Sequence, residues 1–104
     1  MINFKALGWR IREERKKRNL TQEKFAEMVD IATEYESRIE TGAVRPSLTL
    51  IEKISSVLEM DEAEIMFGNK SDEKEVKDLM NKIFSMDPKK RRAVERMIDV
   101  ISDL

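Results

Sequence analysis

The chain has 104 residues, of which 39 % are charged, 40 % hydrophobic and only 6 % aromatic, with a formal net charge of −1. That length suits one compact domain with a short appendage, and three glycines and two prolines among so many helix-favouring residues point to short helices rather than a sheet. With no cysteine and no histidine, disulfides, the usual zinc ligands and imidazole-assisted nucleophilic catalysis are excluded.

The charge is unevenly spread. Residues 1–20 carry seven basic side chains against two acidic ones, and residues 21–45 carry three against six. A concentrated basic end can attract phosphates even when the whole chain is slightly acidic. No apolar stretch approaches the roughly 20 residues needed to cross a bilayer. Met1–Gly8 also lacks the apolar block of a signal peptide, so a cytoplasmic protein is expected.

The first predicted helix runs from about Phe4 to Arg18, with Leu7, Ile11 and Arg15 on one face, and closes at Asn19. Thr21 is a suitable N-cap for a second helix, about Gln22 to Val29, whose inner face holds Phe25, Ala26 and Val29. A third runs from about Thr33 to Glu40 and stops at Gly42. Pro46 and Ser47 open a fourth, with Leu48, Ile51, Ile54, Ser55 and Leu58 as its buried stripe. Asp61-Glu62-Ala63-Glu64 reads as a capping box for a short fifth helix, which Ile65 and Phe67 close onto the core.

A break follows at Gly68-Asn69-Lys70-Ser71. Beyond it Val76, Leu79, Met80, Ile83 and Phe84 restart the helical period. Asp87-Pro88 begins a last helix lined by Val94, Met97, Ile98 and Ile101. The expected division is residues 1–68 as one domain and 69–104 as a helical hairpin.

Two helices joined by a short turn within Thr21–Glu40 form a helix-turn-helix arrangement. The blocks Ile11-Arg12-Glu13-Glu14-Arg15, Leu20-Thr21-Gln22-Glu23-Lys24-Phe25-Ala26, Ser37-Arg38-Ile39-Glu40-Thr41-Gly42 and Arg45-Pro46-Ser47-Leu48 stand in order at matching spacing. On these residues the chain resembles the helix-turn-helix domain of the phage Cro and repressor proteins, the xenobiotic response element family, over about residues 6–68.

The resemblance implies an all-α, five-helix, lambda-repressor-like domain carrying a two-helix extension. It implies a sequence-specific regulator of transcription, a repressor of phage or mobile-element type, acting on double-stranded DNA and not an enzyme. Carried over by position, Thr33, Glu34, Ser37 and Arg38 would face base edges, and Gln22, Thr41, Ala43, Arg45 and Lys17 would meet phosphates. The chemistry agrees: Arg38 can hold guanine in a bidentate contact, and Glu34 can accept from a cytosine amino group. Arg15 and Glu40 would form a partly buried ion pair tying the first helix to the third. An antitoxin or restriction–modification controller would use the same domain, and an interaction module that has lost DNA binding is the reading from another class.

Two residues depart from the family pattern. Glu36 stands where an apolar residue packs inward, and Ala32 where a small hydroxyl caps the helix. One account covers both: Thr33 caps the helix one residue late, and Glu36 closes a capping box with it. Glu34, Glu36 and Glu40 on one helix also imply weak non-specific affinity for DNA.

A single helix of this kind makes few base contacts, so family members pair across half-sites about 34 Å apart. The two narrow hairpin stripes need another surface, which makes Val76, Leu79, Ile83, Val94, Met97 and Ile101 the expected interface of a homodimer. The alternative is that the hairpin folds back on its own domain. Lys89, Lys90, Arg91 and Arg92 read as a solvated basic patch, and Trp9 as a residue packed at the first helix. No cofactor, metal or small-molecule ligand is expected.

Overall fold

The computed structural model describes residues 2–68 and 74–102, except for the side chains of 74–77 and 102. The described residues form seven helices, and local chemistry satisfies the backbone at several of their ends. Helix α1 (Phe4–Lys17) starts with the Asn3 side chain accepting from the Ala6 amide at 3.1 Å, and ends at Asn19, whose φ of 55° is left-handed. Thr21 caps α2 (Gln22–Met28) by accepting from the Lys24 amide at 3.0 Å. Helix α3 (Thr33–Thr41) stops at Gly42, which adopts a φ of 81° that only glycine reaches cheaply.

Ser47 caps α4 (Leu48–Leu58) through the Leu50 amide at 3.1 Å. Helix α5 (Glu62–Phe67) has Asp61 at its N-cap, but the Asp61 side chain makes no capping bond, so the expected capping box is not closed. Helices α6 (Lys74–Ser85) and α7 (Pro88–Ser102) are separated by a tight turn, where Asp87 accepts from the Lys90 amide at 2.9 Å.

The core gathers one face of each of the first five helices: Leu7, Ile11, Phe25, Ile39, Ile51, Ile54, Leu58 and Ile65 are all essentially inaccessible. Each such side chain contributes about 1.5–3 kcal/mol through burial. Helix α1 crosses α3 and α5, α2 packs on α3, and α4 packs on α5 and α7. Arg10 adds a polar tie, donating to the carbonyls of Ile65 at 2.8 Å and Met66 at 2.7 Å. Those carbonyls end α5 and lack partners within the helix, so the guanidinium satisfies them and its charge suits that negative end.

Two side chains on α5 exchange their expected places. Phe67 is 46 % exposed, whereas Met66 is buried. Six residues make less than two turns, so the period alone does not decide which of two neighbours faces in.

The hairpin folds back in part. Met80 joins the core, and Ile83 and Phe84 pack against it half-buried. Ile83, expected at an interface between copies, is thus half-buried within the single chain, where α5 packs on α6. The side chain of Val76 and residues 69–71 of the expected break lie outside the described residues. Among the described residues no helix is long and apolar enough to cross a membrane.

Candidate nucleic-acid interface

Helices α2 and α3 are joined by a turn in which Asp30 takes a left-handed φ of 60° and the Ile31 amide returns to the Ala26 carbonyl at 2.9 Å. Ile31 is drawn half-buried against the core, which fixes the angle at which α3 leaves. Helix α3 has two unlike faces. Glu36, Ile39 and Glu40 are buried, while Thr33, Glu34 and Arg38 are exposed and Ser37 is half-exposed. Spacings of one, four and five residues place these last four together on the outer face.

The proposed late start of α3 is overturned. Ala32 is the N-cap, without a side-chain bond, and Thr33 is already helical. The Glu36 amide bonds the Ala32 carbonyl at 3.1 Å, so Glu36 occupies an ordinary helical position and its side chain points inward. Thr33 is therefore free of capping duty, and the first turn of α3 keeps amides that no side chain takes.

Glu36 itself is fully buried, and no donor of another residue reaches either of its carboxyl oxygens. An anion there would stand unpaired beside Glu40. Burial first, then the hydrogen bond with Glu40 and that residue's charge, raise the Glu36 carboxyl to about 9, with Arg15 opposing. Glu36 is thus a neutral acid at pH 7 whose hydroxyl donates to Glu40. Burial alone would raise Glu40 as well, but the hydrogen bonds from Glu36, Arg15 and Gln22 outweigh it and hold Glu40 below the usual range.

Glu40 is the hub of this cluster. Arg15 meets it in a bidentate contact, Nε to Oε2 at 2.9 Å and Nη2 to Oε1 at 3.0 Å, and donates also to the Leu20 carbonyl at 2.6 Å. Gln22 Nε2 donates to Glu40 Oε1 at 3.1 Å. The ends of α1, α2 and α3 are tied at one point. Arg15→Ala is expected to cost about 3–5 kcal/mol, since it leaves Glu40 buried without its countercharge. Urea unfolding of the variant measures this, and a loss under about 1 kcal/mol would mean the pair is dispensable.

The remaining sequence-predicted residues are dispersed around that point. Thr41 bonds its hydroxyl back to the Arg38 carbonyl at 3.1 Å, Ala43 is exposed, and Lys17 pairs with Glu14 at 2.8 Å while staying 68 % exposed. Arg45 lies over the Phe4 ring at 5.2 Å and pairs with Asp99 of α7. In the basic run of α1, Lys16 and Lys17 project outward while Arg18 turns back to Glu14 and the Leu58 carbonyl. Lys89, Lys90 and Arg92 are exposed, and Arg91 is engaged with Glu52 at 2.8 Å.

Trp9 does not pack as expected. It is 57 % exposed, beside a shallow depression bordered by Glu13, Lys17 and Glu64. Sequence reasoning missed Arg10, Glu95 and Asp99, all of which act over long sequence separations. The described residues hold no acidic cluster suited to a metal ion.

A family model described as helix-turn-helix matches residues 11–65. No curated protein matches the sequence. Among solved structures, the restriction-modification controller protein C.AhdI from Aeromonas hydrophila is 29 % identical, with a TM-score of 0.57 over 60 % of this chain and 94 % of that one. The P22 c2 repressor protein, in complex with a synthetic operator, is 25 % identical with a TM-score of 0.59, covering 61 % of this chain and 96 % of that one. The SinR protein/SinI protein complex is similar over nearly the whole length: 26 % identity, TM-score 0.56, 94 % of this chain and 99 % of that chain.

Proposed function

Because the chain belongs to the helix-turn-helix family, whose model spans more than half of it, we propose that it is a sequence-specific DNA-binding transcriptional repressor acting as a homodimer on a two-fold-symmetric operator. The observation that carries this reading is the two-faced α3. Its back is locked into the core by Ile39 and the Arg15–Glu40 pair, while its front presents Thr33, Glu34, Ser37 and Arg38 to solvent.

In this reading α3 lies in the major groove, with Arg38 bidentate to a guanine and Glu34 selecting a cytosine amino group. Gln22 spends one amide hydrogen on Glu40, which orients the other, with the first amides of α2, toward a phosphate. Thr41, Ala43, Arg45 and Lys17 meet the backbone on either side. The likeness to the P22 c2 repressor, solved with an operator, supports this assignment of a DNA partner. The same features support a cytoplasmic binding protein of phage or mobile-element type and not an enzyme.

Pairing would come from the face of the hairpin that its own domain leaves uncovered. Leu79, Met97 and Ile101 are 57 %, 64 % and 58 % exposed, and Val100 extends the same patch. Val94 is half-buried beside it. A restriction–modification controller is the second reading, favoured by the likeness to C.AhdI.

Selection of bound sequences from a random duplex pool, repeated with Arg38→Ala, tests the proposal. A two-fold-symmetric motif is expected, blurred at one base pair per half-site by the substitution. Loss of that contact should relax discrimination there by about 1–3 kcal/mol. An unchanged motif would remove Arg38 from the base contacts, and no enrichment even at low salt would sink the DNA reading.

A further inference from the structure

We propose that α7 competes with DNA for the first turn of α4: Asp99 and Glu95 occupy, in the free protein, positions that operator phosphates take in the complex. The inference rests on the DNA-binding reading above and adds an internal regulator to it.

The first turn of α4 is a place for anions. Ser47 caps it through the Leu50 amide, which leaves the Leu48 amide in need of an acceptor at the positive end of an 11-residue helix. Arg45, just before the cap, adds a guanidinium. An uncapped amide at a helix N-terminus and an arginine beside it are the donors that a phosphate oxygen requires. A carboxylate fits the same donors.

Two carboxylates of α7 fill this place. Glu95 accepts from the Leu48 amide, and Asp99 pairs with Arg45. They are four residues apart, so one face of α7 presents both. A third link lies further up the same helix, where Arg91 pairs with Glu52 of α4 at 2.8 Å. The expected phosphate contact at Arg45 is thus not open: a side chain of the hairpin already holds it.

The docking of α7 is polar and only partly buried. Among the described residues α7 contributes no fully buried side chain, whereas α6 contributes Met80. The Arg45 and Asp99 side chains are 51 % and 55 % exposed, and ion pairs at that exposure contribute about 0–1 kcal/mol. An open cavity of about 220 Å³ separates Ile98 of α7 from Phe4, Tyr35 and Ile51. The cavity is open, so solvent reaches between these side chains and they are not close-packed against one another. Withdrawal of α7 would leave the core of α1–α5 intact, and the helix that takes part in pairing would be coupled to occupancy of the phosphate site.

The test compares the wild-type chain with the double variant Glu95→Gln/Asp99→Asn on a random-sequence duplex of about two helical turns at low salt. Removing negative charge anywhere strengthens binding to a polyanion, so a second double variant, Glu59→Gln/Asp78→Asn, carries the same charge change on exposed residues outside the cluster. The first pair is expected to bind about tenfold tighter than wild type, a difference of about 1.4 kcal/mol, and the control pair within about threefold. Hydrogen exchange on the wild-type chain supplies the second readout: α7 amides should exchange faster on adding duplex, while those of α3 slow.

Equal gains from the two double variants, or α7 protection that is unchanged or increased by DNA, would overturn the competition while leaving DNA binding in place. Absence of binding by every form would overturn the DNA reading and this inference with it. Binding by the first double variant alone would support both.

Discussion

Replacing Glu36 by methionine is expected to stabilise the protein at pH 7 by about 2–3 kcal/mol, and the gain should grow as pH rises. The folded-state carboxyl is raised to about 9 from an ordinary 4.5. A raised folded value means that the stability is fully present below about pH 4.5 and is lost as pH climbs through the folded value. Between those limits the unfolded chain releases a proton that the folded chain must keep, at about 1.4 kcal/mol per pH unit. At pH 7 the accumulated cost is about 3 kcal/mol, and methionine, of similar volume, never bears it.

Part of the gain is offset because Glu40 loses the donor that Glu36 provides. Glu36→Gln restores a donor but buries a second N–H and a carbonyl, so its gain should be smaller. The groups facing Glu36 in this cluster are Glu40 on its own helix and Arg15 on α1. Glu40, held low, works in the opposite direction, since its contribution fails as pH falls below the ordinary carboxylate range. The cluster is therefore squeezed from both sides. Denaturant melts of wild type and Glu36→Met between pH 5 and 9 are the check, and a stability gap that does not widen with pH would show that Glu36 carries no trapped proton.

How much of this was legible follows from which forces are local. Thr21, Ser47, Asn19 and Gly42 stop or start helices by bonds and dihedrals within a few residues, and the structure finds each in that role. The amphipathic period likewise placed Leu7, Ile11, Phe25, Ile51, Ile54 and Leu58 inside. Ala32 and Glu36 went wrong together because a local rule was available and plausible. A capping box would have spared a buried carboxylate, but the pull of Ile39 and Glu40 into the core fixed the helix phase one residue earlier. Tertiary packing outweighs a cap worth about 1 kcal/mol.

Arg10, Glu95 and Asp99 were invisible for a different reason. Their partners lie 40–60 residues away, at Ile65, Leu48 and Arg45. No spacing rule announces such a partner, and each pairing exists only once the helices are stacked. The candidate site shows the same division. The outward face of α3 followed from its period, whereas the engagement of Arg45 by α7 depended on where the hairpin came to rest.

Gly8→Ala is expected to be among the most damaging single substitutions, costing about 3 kcal/mol or more, at the upper end for overpacking. A methyl group on Gly8 would lie 2.0 Å from the Ile39 carbonyl oxygen and 2.8 Å from that of Glu40. These are backbone atoms of α3, so no rotamer change relieves the clash. Alanine is otherwise the better helix former by about 1 kcal/mol, which makes the sign of the result informative. The strain falls on one contact: α1 must move off the last turns of α3, where Arg15 meets Glu40 and where Arg38 is carried on the opposite face. Thermal unfolding measures the loss directly, and a variant as stable as wild type would mean that α1 and α3 do not approach this closely. In a partly stabilised background such as Glu36→Met, the surviving folded fraction should also bind duplex less tightly. The same displacement that relieves the methyl group would turn α3 away from the angle at which Thr33, Glu34, Ser37 and Arg38 reach a groove.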